Sequence, residues 1–218
     1  MTRAETKVQP TDQSAIDVVM MERCIRHSAT ATKRGELPFA TLICLGGEVV
    51  VEATNLVKQD GDVTRHAELI ALSQAQKILG RKDLSKCTLY TNVEPCPMCS
   101  FPIRETRIGR VVFAMSSPMM GGLSKWNILR DSELSRAMPE VFGPVPEVIA
   151  GLARVEAENV WATWHPLIWR IIKHRGCFGP ETVADSPEYL KAIPERGGWL
   201  RRLLMLRHMM LRYIRRSA

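Results

Sequence analysis

A chain of 218 residues with 45% hydrophobic and 24% charged side chains has the make-up of one globular domain with room for an appendage. Such a length buries a core without disulfide staples, which excludes the disordered, collagen-like and membrane-embedded classes for its bulk. The net charge of +7 suggests an anionic partner, yet it sits at one end: residues 195–218 carry seven arginines against the single acid Glu195, while the other 194 residues hold 23 basic and 22 acidic side chains.

Met1 to Ser14 is polar and lacks the apolar run of a secretory signal. Cys24, Cys44 and Cys87 fall in apolar patterns, as free buried thiols do, so a reducing cytoplasm is the expected setting. Helical periodicity covers Asp12–Arg34. The apolar run Ala40–Leu45, the Gly46-Gly47 turn and the Val-rich run Glu48–Thr54 predict a β-hairpin. Asn55–Arg65 reads as a loop and His66–Leu79 as a helix stopped by Gly80. A strand follows over Cys87–Asn92, and Pro97 suits the first turn of a helix reaching Thr106. Strands over Arg110–Met115 and Glu147–Leu152 and helices over Arg154–Trp164 and Leu167–His174 complete the pattern. Strands alternating with helices argue an α/β sheet with helices on both faces. The expected division is a main domain over 1–176, a proline-containing linker over 177–197 and a basic amphipathic tail over 198–218.

Three short pieces carry chemistry: His66-Ala67-Glu68 opening one helix, Glu94-Pro95-Cys96 after a strand, and Cys96-Pro97-Met98-Cys99 opening the next helix. His66, Cys96 and Cys99 supply the three protein ligands of a catalytic zinc site, whose fourth position belongs to water. Cysteines three apart on the first turn of a helix lie on one side of it, and a helix N-terminus favours thiolate. Glu68 sits beside these ligands without being one of them. On its own, Cys96-x-x-Cys99 also fits a redox pair between strand and helix, or a structural zinc knuckle completed by His165, His174 or Cys177.

The joint pattern, H-x-E followed by P-C-x-x-C, is the signature of zinc-dependent nucleobase deaminases. The chain resembles the cytidine deaminase superfamily, and within it bacterial guanine deaminases and tRNA adenosine deaminases. The likeness runs from Leu37-Pro38-Phe39-Ala40 through Leu89–Cys99 to Arg107–Phe113. It implies a three-layer α/β/α fold, one zinc per chain on His66, Cys96 and Cys99, and Glu68 as the group that moves protons from water to the ring nitrogen and on to departing ammonia. It also implies base contacts from Asn55 and the Ala67 backbone, and a homodimer. Read without the likeness, Asn55 is equally a turn residue after a strand.

The chain departs from its relatives in two places. Phe101 and Pro102 stand where those proteins carry small residues near the base, and Met115–Met120 has no charge where tRNA deaminases carry a charged segment. A loop that touches phosphates carries Lys or Arg, so this favours a free base or nucleoside, guanine or a related amino-heterocycle, over tRNA. Trp126 follows Gly121-Gly122 and is a candidate for the substrate pocket, whereas Trp161 and Trp164 suit core packing. Residues 198–217 form an amphipathic pattern with an arginine face, suited to packing on the core or a second subunit, to nucleic-acid phosphates, or to an anionic membrane.

Overall fold

The computed structural model describes residues 12–179; the linker beyond 179 and the basic amphipathic tail lie outside the described residues. Helix α1 (Asp12–Thr32) leads to the hairpin β1 (Ala40–Leu45) and β2 (Glu48–Thr54), as the sequence predicts. Gly46 and Gly47 both take positive φ, 58° and 84°, which a two-residue hairpin turn of this hand requires. The predicted loop over Asn55–Arg65 contains one helical turn, α2 (Val57–Asp60). Helix α3 (Ala67–Leu79), strand β3 (Cys87–Val93), helix α4 (Pro97–Glu105) and strand β4 (Arg110–Met115) then alternate as expected. Residues 128–137, for which the sequence showed no periodicity, form a 3₁₀ turn (Ile128–Arg130) and α5 (Ser132–Ala137), the latter capped by Asp131 accepting from Glu133 N and Leu134 N. Strand β5 is shorter than predicted, Glu147–Ala150, and α6 (Arg154–Trp164) and α7 (Pro166–His174) follow. Among the described residues no helix is long and apolar enough to cross a membrane.

The strands form one sheet in the order β2-β1-β3-β4-β5. β1 runs antiparallel to both β2 and β3, while β3, β4 and β5 are mutually parallel. Consequently β2, β3 and β4 all end at the same edge of the sheet. Alternate side chains along each strand supply two separate cores. Ile43, Val51, Leu89, Val111 and Phe113 pack on one face with Ile70, Ala71 and Ala75 of α3 and Ile103 of α4. Leu42, Cys44, Tyr90, Val112 and Ala114 pack on the other with Met21, Cys24 and Ile25 of α1 and Ala157 and Trp161 of α6. The result is the three-layer α/β/α architecture. Trp161 is 2% exposed and meets Phe39, Trp164, Trp169 and Phe178, so it is core, as is Trp169. Cys24, Cys44 and Cys87 are free and buried.

Two polar devices hold this frame. Asp17 on α1 accepts from Tyr90 Oη at 2.7 Å and from Arg110 Nη1 and Nη2 at 2.8 Å each, tying the helix to two strands. Burial alone would raise its pKa, but the bonds from Arg110, Tyr90 and Gln13 outweigh burial and hold it below the usual carboxylate range. At the opposite edge, the Glu94 carboxylate after β3 accepts from Ser117 N (2.6 Å), Leu123 N (2.9 Å), Ser124 N (2.6 Å) and Ser124 Oγ (2.7 Å). This gathers the uncharged segment after β4 into a tight turn around one buried acid. Gly121 and Gly122 are dictated by it: a Cβ at 121 would collide with the Glu94 carboxylate and one at 122 with Ser100 Oγ.

Replacing Asp17 by Asn should destabilise the fold by about 2–3 kcal/mol, because it leaves Arg110 with a weakened partner. The ionised form is the one the fold prefers, so the wild-type advantage is full above the unfolded pKa of about 4 and fades as pH falls through the lower folded value. Urea melts of both proteins at neutral and acid pH check this: their difference should shrink at low pH. Gly121→Ala should cost about 2 kcal/mol or more by displacing the Glu94 carboxylate, while Gly61→Ala, where a Cβ meets nothing within 4 Å, gives the cost of positive φ alone.

Candidate active site

The common edge of β2, β3 and β4 brings the chemical residues together. His66 stands at the N-cap of α3 with extended backbone (φ −72°, ψ 146°) and makes no side-chain capping bond, so its imidazole is available. Cys96 is the N-cap of α4, its carbonyl accepting from Cys99 N (3.0 Å) and Ser100 N (2.9 Å). Two helix N-termini thus converge on one point, each contributing the partial positive charge of its free N–H groups.

The Sγ atoms of Cys96 and Cys99 are 3.6 Å apart and lie 3.6 and 3.4 Å from His66 Nδ1. Among the described residues these three form the group able to hold a metal ion, with all ligand atoms within 4.8 Å of one another. Two thiols and one imidazole in that space match the donor types and count of a catalytic zinc site. The electrostatics agree. The bond from Cys99, outweighing burial and helped by His66, brings Cys96 down to about 4. The contact with Cys96 raises His66 above its ordinary value, and the bond between Cys96 and Cys99 together with burial pushes Cys99 up. A thiolate beside an imidazolium is a charge pattern that a bound divalent cation replaces.

Glu68 lies on the first turn of α3, two residues past His66, and is 7% exposed. Burial raises its carboxyl to about 7, with the Cys96 thiolate adding to the rise. A carboxyl in that range both takes and gives a proton near neutrality. Ala67 is buried between them as the first residue of α3. Asn55 directly follows β2, is 4% exposed, and donates from Nδ2 to Glu36 Oε2 at 3.2 Å.

Two other candidates, Phe101 and Trp126, are exposed. Phe101 is two positions past Cys99, so it faces away from the cysteine pair on α4; it is 44% exposed and its ring sits 6.3 Å from that of Phe142. Trp126 is 57% exposed under Lys125 Nζ, which is 5.2 Å from the ring centroid. His165 caps α7, accepting from Ile168 N at 3.4 Å, so it serves a helix end. The sequence reading missed Glu36 and Arg104, and gave Glu94 no role of its own within the Glu94-Pro95-Cys96 piece; all three are buried. Arg104 donates to the carbonyls of Ile128 and Asp131 and to Ser135 Oγ, fastening residues 128–135 to α4. The signal for Glu94 is an acid closing an apolar strand run; Glu36, in a polar loop, gives none.

Residues 14–115 match the family model for the cytidine and deoxycytidylate deaminase zinc-binding region. The chain is 35% identical over 124 residues to a tRNA-specific adenosine deaminase of Aquifex aeolicus, covering 56% of this chain and 82% of that one. It is 31% identical over 138 residues to the tRNA-specific adenosine deaminase of Bacillus subtilis, covering 62% and 85%. A solved structure from a study of A-to-I editing by tRNA deaminases at the wobble position of transfer RNA superposes with a TM-score of 0.56 at 29% identity, over 64% of this chain and 96% of the other. The motif, the fold and these likenesses converge: the chain belongs to the cytidine and deoxycytidylate deaminase family of zinc-dependent deaminases.

Proposed function

We propose that this deaminase acts on adenosine in tRNA, converting it to inosine with release of ammonia, and works as the homodimer its family resemblance implies. The observation that carries this reading is the 35% and 31% identity to proteins named as tRNA-specific adenosine deaminases, over more than four-fifths of each. The uncharged segment Met115–Met120, which by sequence favours a free base, carries less weight once its role is seen. Within it Met115, Ser116 and Ser117 are buried and Ser117 N donates to the Glu94 carboxylate, so the absence of charge there serves packing.

His66, Cys96 and Cys99 would hold the zinc, which when bound would supply a water activated at neutral pH. Glu68 then does the proton work: its carboxylate takes one proton from the attacking water and delivers it to the ring nitrogen, then takes the second from the hydroxyl of the resulting adduct and gives it to the amine, which leaves as ammonia while the C–N bond breaks and the carbonyl forms. Burial of Glu68 keeps competing solvent away and raises its affinity for the proton. Asn55 orients the base by hydrogen bonding and the Ala67 backbone lies against it. The arginine-rich segment 198–217 contacts RNA phosphates. Phosphate contacts position the substrate and leave base selection to the site.

Glu68→Gln should lower inosine formation on tRNA by about a thousandfold while the protein keeps about one zinc per chain. Inosine is read by nucleoside chromatography and zinc by atomic emission, and undiminished activity in this variant overturns the role of Glu68. A parallel ammonia assay on guanine, cytosine and free nucleosides tests the competing reading, which prevails if those are turned over and tRNA is not. Deleting residues 198–218 should weaken tRNA binding and flatten its salt dependence by roughly 0.9 per lost phosphate contact on a log-log plot.

A further inference from the structure

We propose that Glu36 is a positioning residue that fixes which way the Asn55 carboxamide faces, and so determines the hydrogen-bond pattern the site offers to its base. This rests on the reading that Asn55 contacts the base. Glu36 lies in the connection between α1 and β1 and is completely buried, 0% exposed. Its Oε1 accepts from the backbone N–H of Gln59 at 2.7 Å, and its Oε2 accepts from Asn55 Nδ2 at 3.2 Å. Among the described residues no lysine or arginine pairs with it: the nearby cations Lys58 and Arg34 go instead to the Gly35 carbonyl and to Thr54 Oγ1. A buried carboxylate held by two neutral donors is expensive to keep. The Gln59 contact alone does not account for it, because the side-chain oxygen of a glutamine would accept from that N–H equally well.

Asn55 is the partner that needs a carboxylate. A carboxamide has a donor end and an acceptor end of nearly equal shape, and either can face a glutamine. A carboxylate only accepts, so a flipped Asn55 would set its Oδ1 against Glu36 Oε2. Glu36 therefore enforces one orientation: the Asn55 nitrogen turns toward the buried acid, and the oxygen and remaining N–H are left in a fixed sense. The main chain is held as well, since Asn55 N donates to the Phe39 carbonyl at 3.2 Å. Asn55 stands at the end of β2, on the sheet edge that also carries His66 and Cys96. A wrongly turned amide there would present a donor where an acceptor is needed, or the reverse, which costs more than losing the bond.

The test is a double-mutant cycle of Glu36→Gln and Asn55→Ala, run on whichever substrate of the tRNA and small-base panel the wild-type protein deaminates. Failure of the tRNA reading then shows in the wild type and does not decide the role of Glu36. Glu36→Gln should raise KM and lower kcat/KM by about tenfold or more, the size of one misdirected hydrogen bond, with zinc content unchanged. In the Asn55→Ala background the same change should cost less than about twofold, because nothing remains to be oriented. Equal losses in both backgrounds, or no loss in the wild type, overturn the proposal. A second measurement stands apart from activity and from folding of the variant. In ¹⁵N spectra of the wild-type protein, the Asn55 side-chain amide should show one proton shifted downfield and protected from exchange. An unshifted, rapidly exchanging Asn55 amide overturns the proposal as well.

Discussion

Two helices begin at one edge of a sheet, and the site exists because they begin so close together. His66 and Cys96 are thirty positions apart in sequence, yet Nδ1 and Sγ lie 3.6 Å apart. That proximity follows from topology. β1 is antiparallel to both its neighbours, so β2 and β3 run in the same direction and release the chain on the same side. β3 leads almost directly into α4 at Cys96, and β2 reaches His66 at the start of α3 through the 55–65 connection with its single turn α2. The converging N–H groups make the spot electropositive, which stabilises a thiolate and accommodates a developing negative charge on an attacking oxygen. Moving either helix start by a single residue would rotate its ligand by about 100° and dissolve the cluster.

Besides Glu36, three buried acids among the described residues have three different duties. Asp17, on the far side of the sheet, carries a direct ion pair with Arg110 and joins α1 to β3 and β4. Glu94 is satisfied by backbone N–H groups and a hydroxyl, and it acts as an organiser of the turn after β4. Glu68 is the one whose proton affinity burial raises to about 7. The difference between Asp17 and Glu68 lies in their neighbours: guanidinium and hydroxyl donors favour the charged form of Asp17, while burial beside a thiolate makes Glu68 bind its proton more tightly. Reactive and structural carboxylates are thus told apart by their neighbours and not by their degree of burial.

Most of the frame could be read from residue order. β1, β2, β4 and α6 lie where alternation, the Gly46-Gly47 turn and helical periodicity place them, and the His66, Glu68, Cys96 and Cys99 cluster was legible as a spacing pattern. Such features are local and periodic, or chemically distinctive. What escaped was non-local. Arg104 looks like a surface arginine near a helix end until the carbonyls of Ile128 and Asp131 come round to meet it. The free-base preference drawn from Met115–Met120 treated absence of charge as absence of phosphate contact, whereas that segment answers to Glu94. Phe101 follows the ligand pair directly in sequence, and its side chain is largely exposed beside Phe142.

The turn around Glu94 has a bearing on how this enzyme can be re-engineered. The acid leaves β3, its acceptors are filled by residues 117, 123 and 124, and Gly122 N donates back to the Pro95 carbonyl beside the cysteine pair at 2.7 Å. The ligand-bearing helix and the turn after β4 are therefore geared together. A loop transplanted from a relative between Met115 and Ser124 alone would arrive without its own anchoring acid and without the small residues that let it close. The exchangeable module is the whole stretch from Glu94 through Ser124, moved as one block with the cysteines inside it.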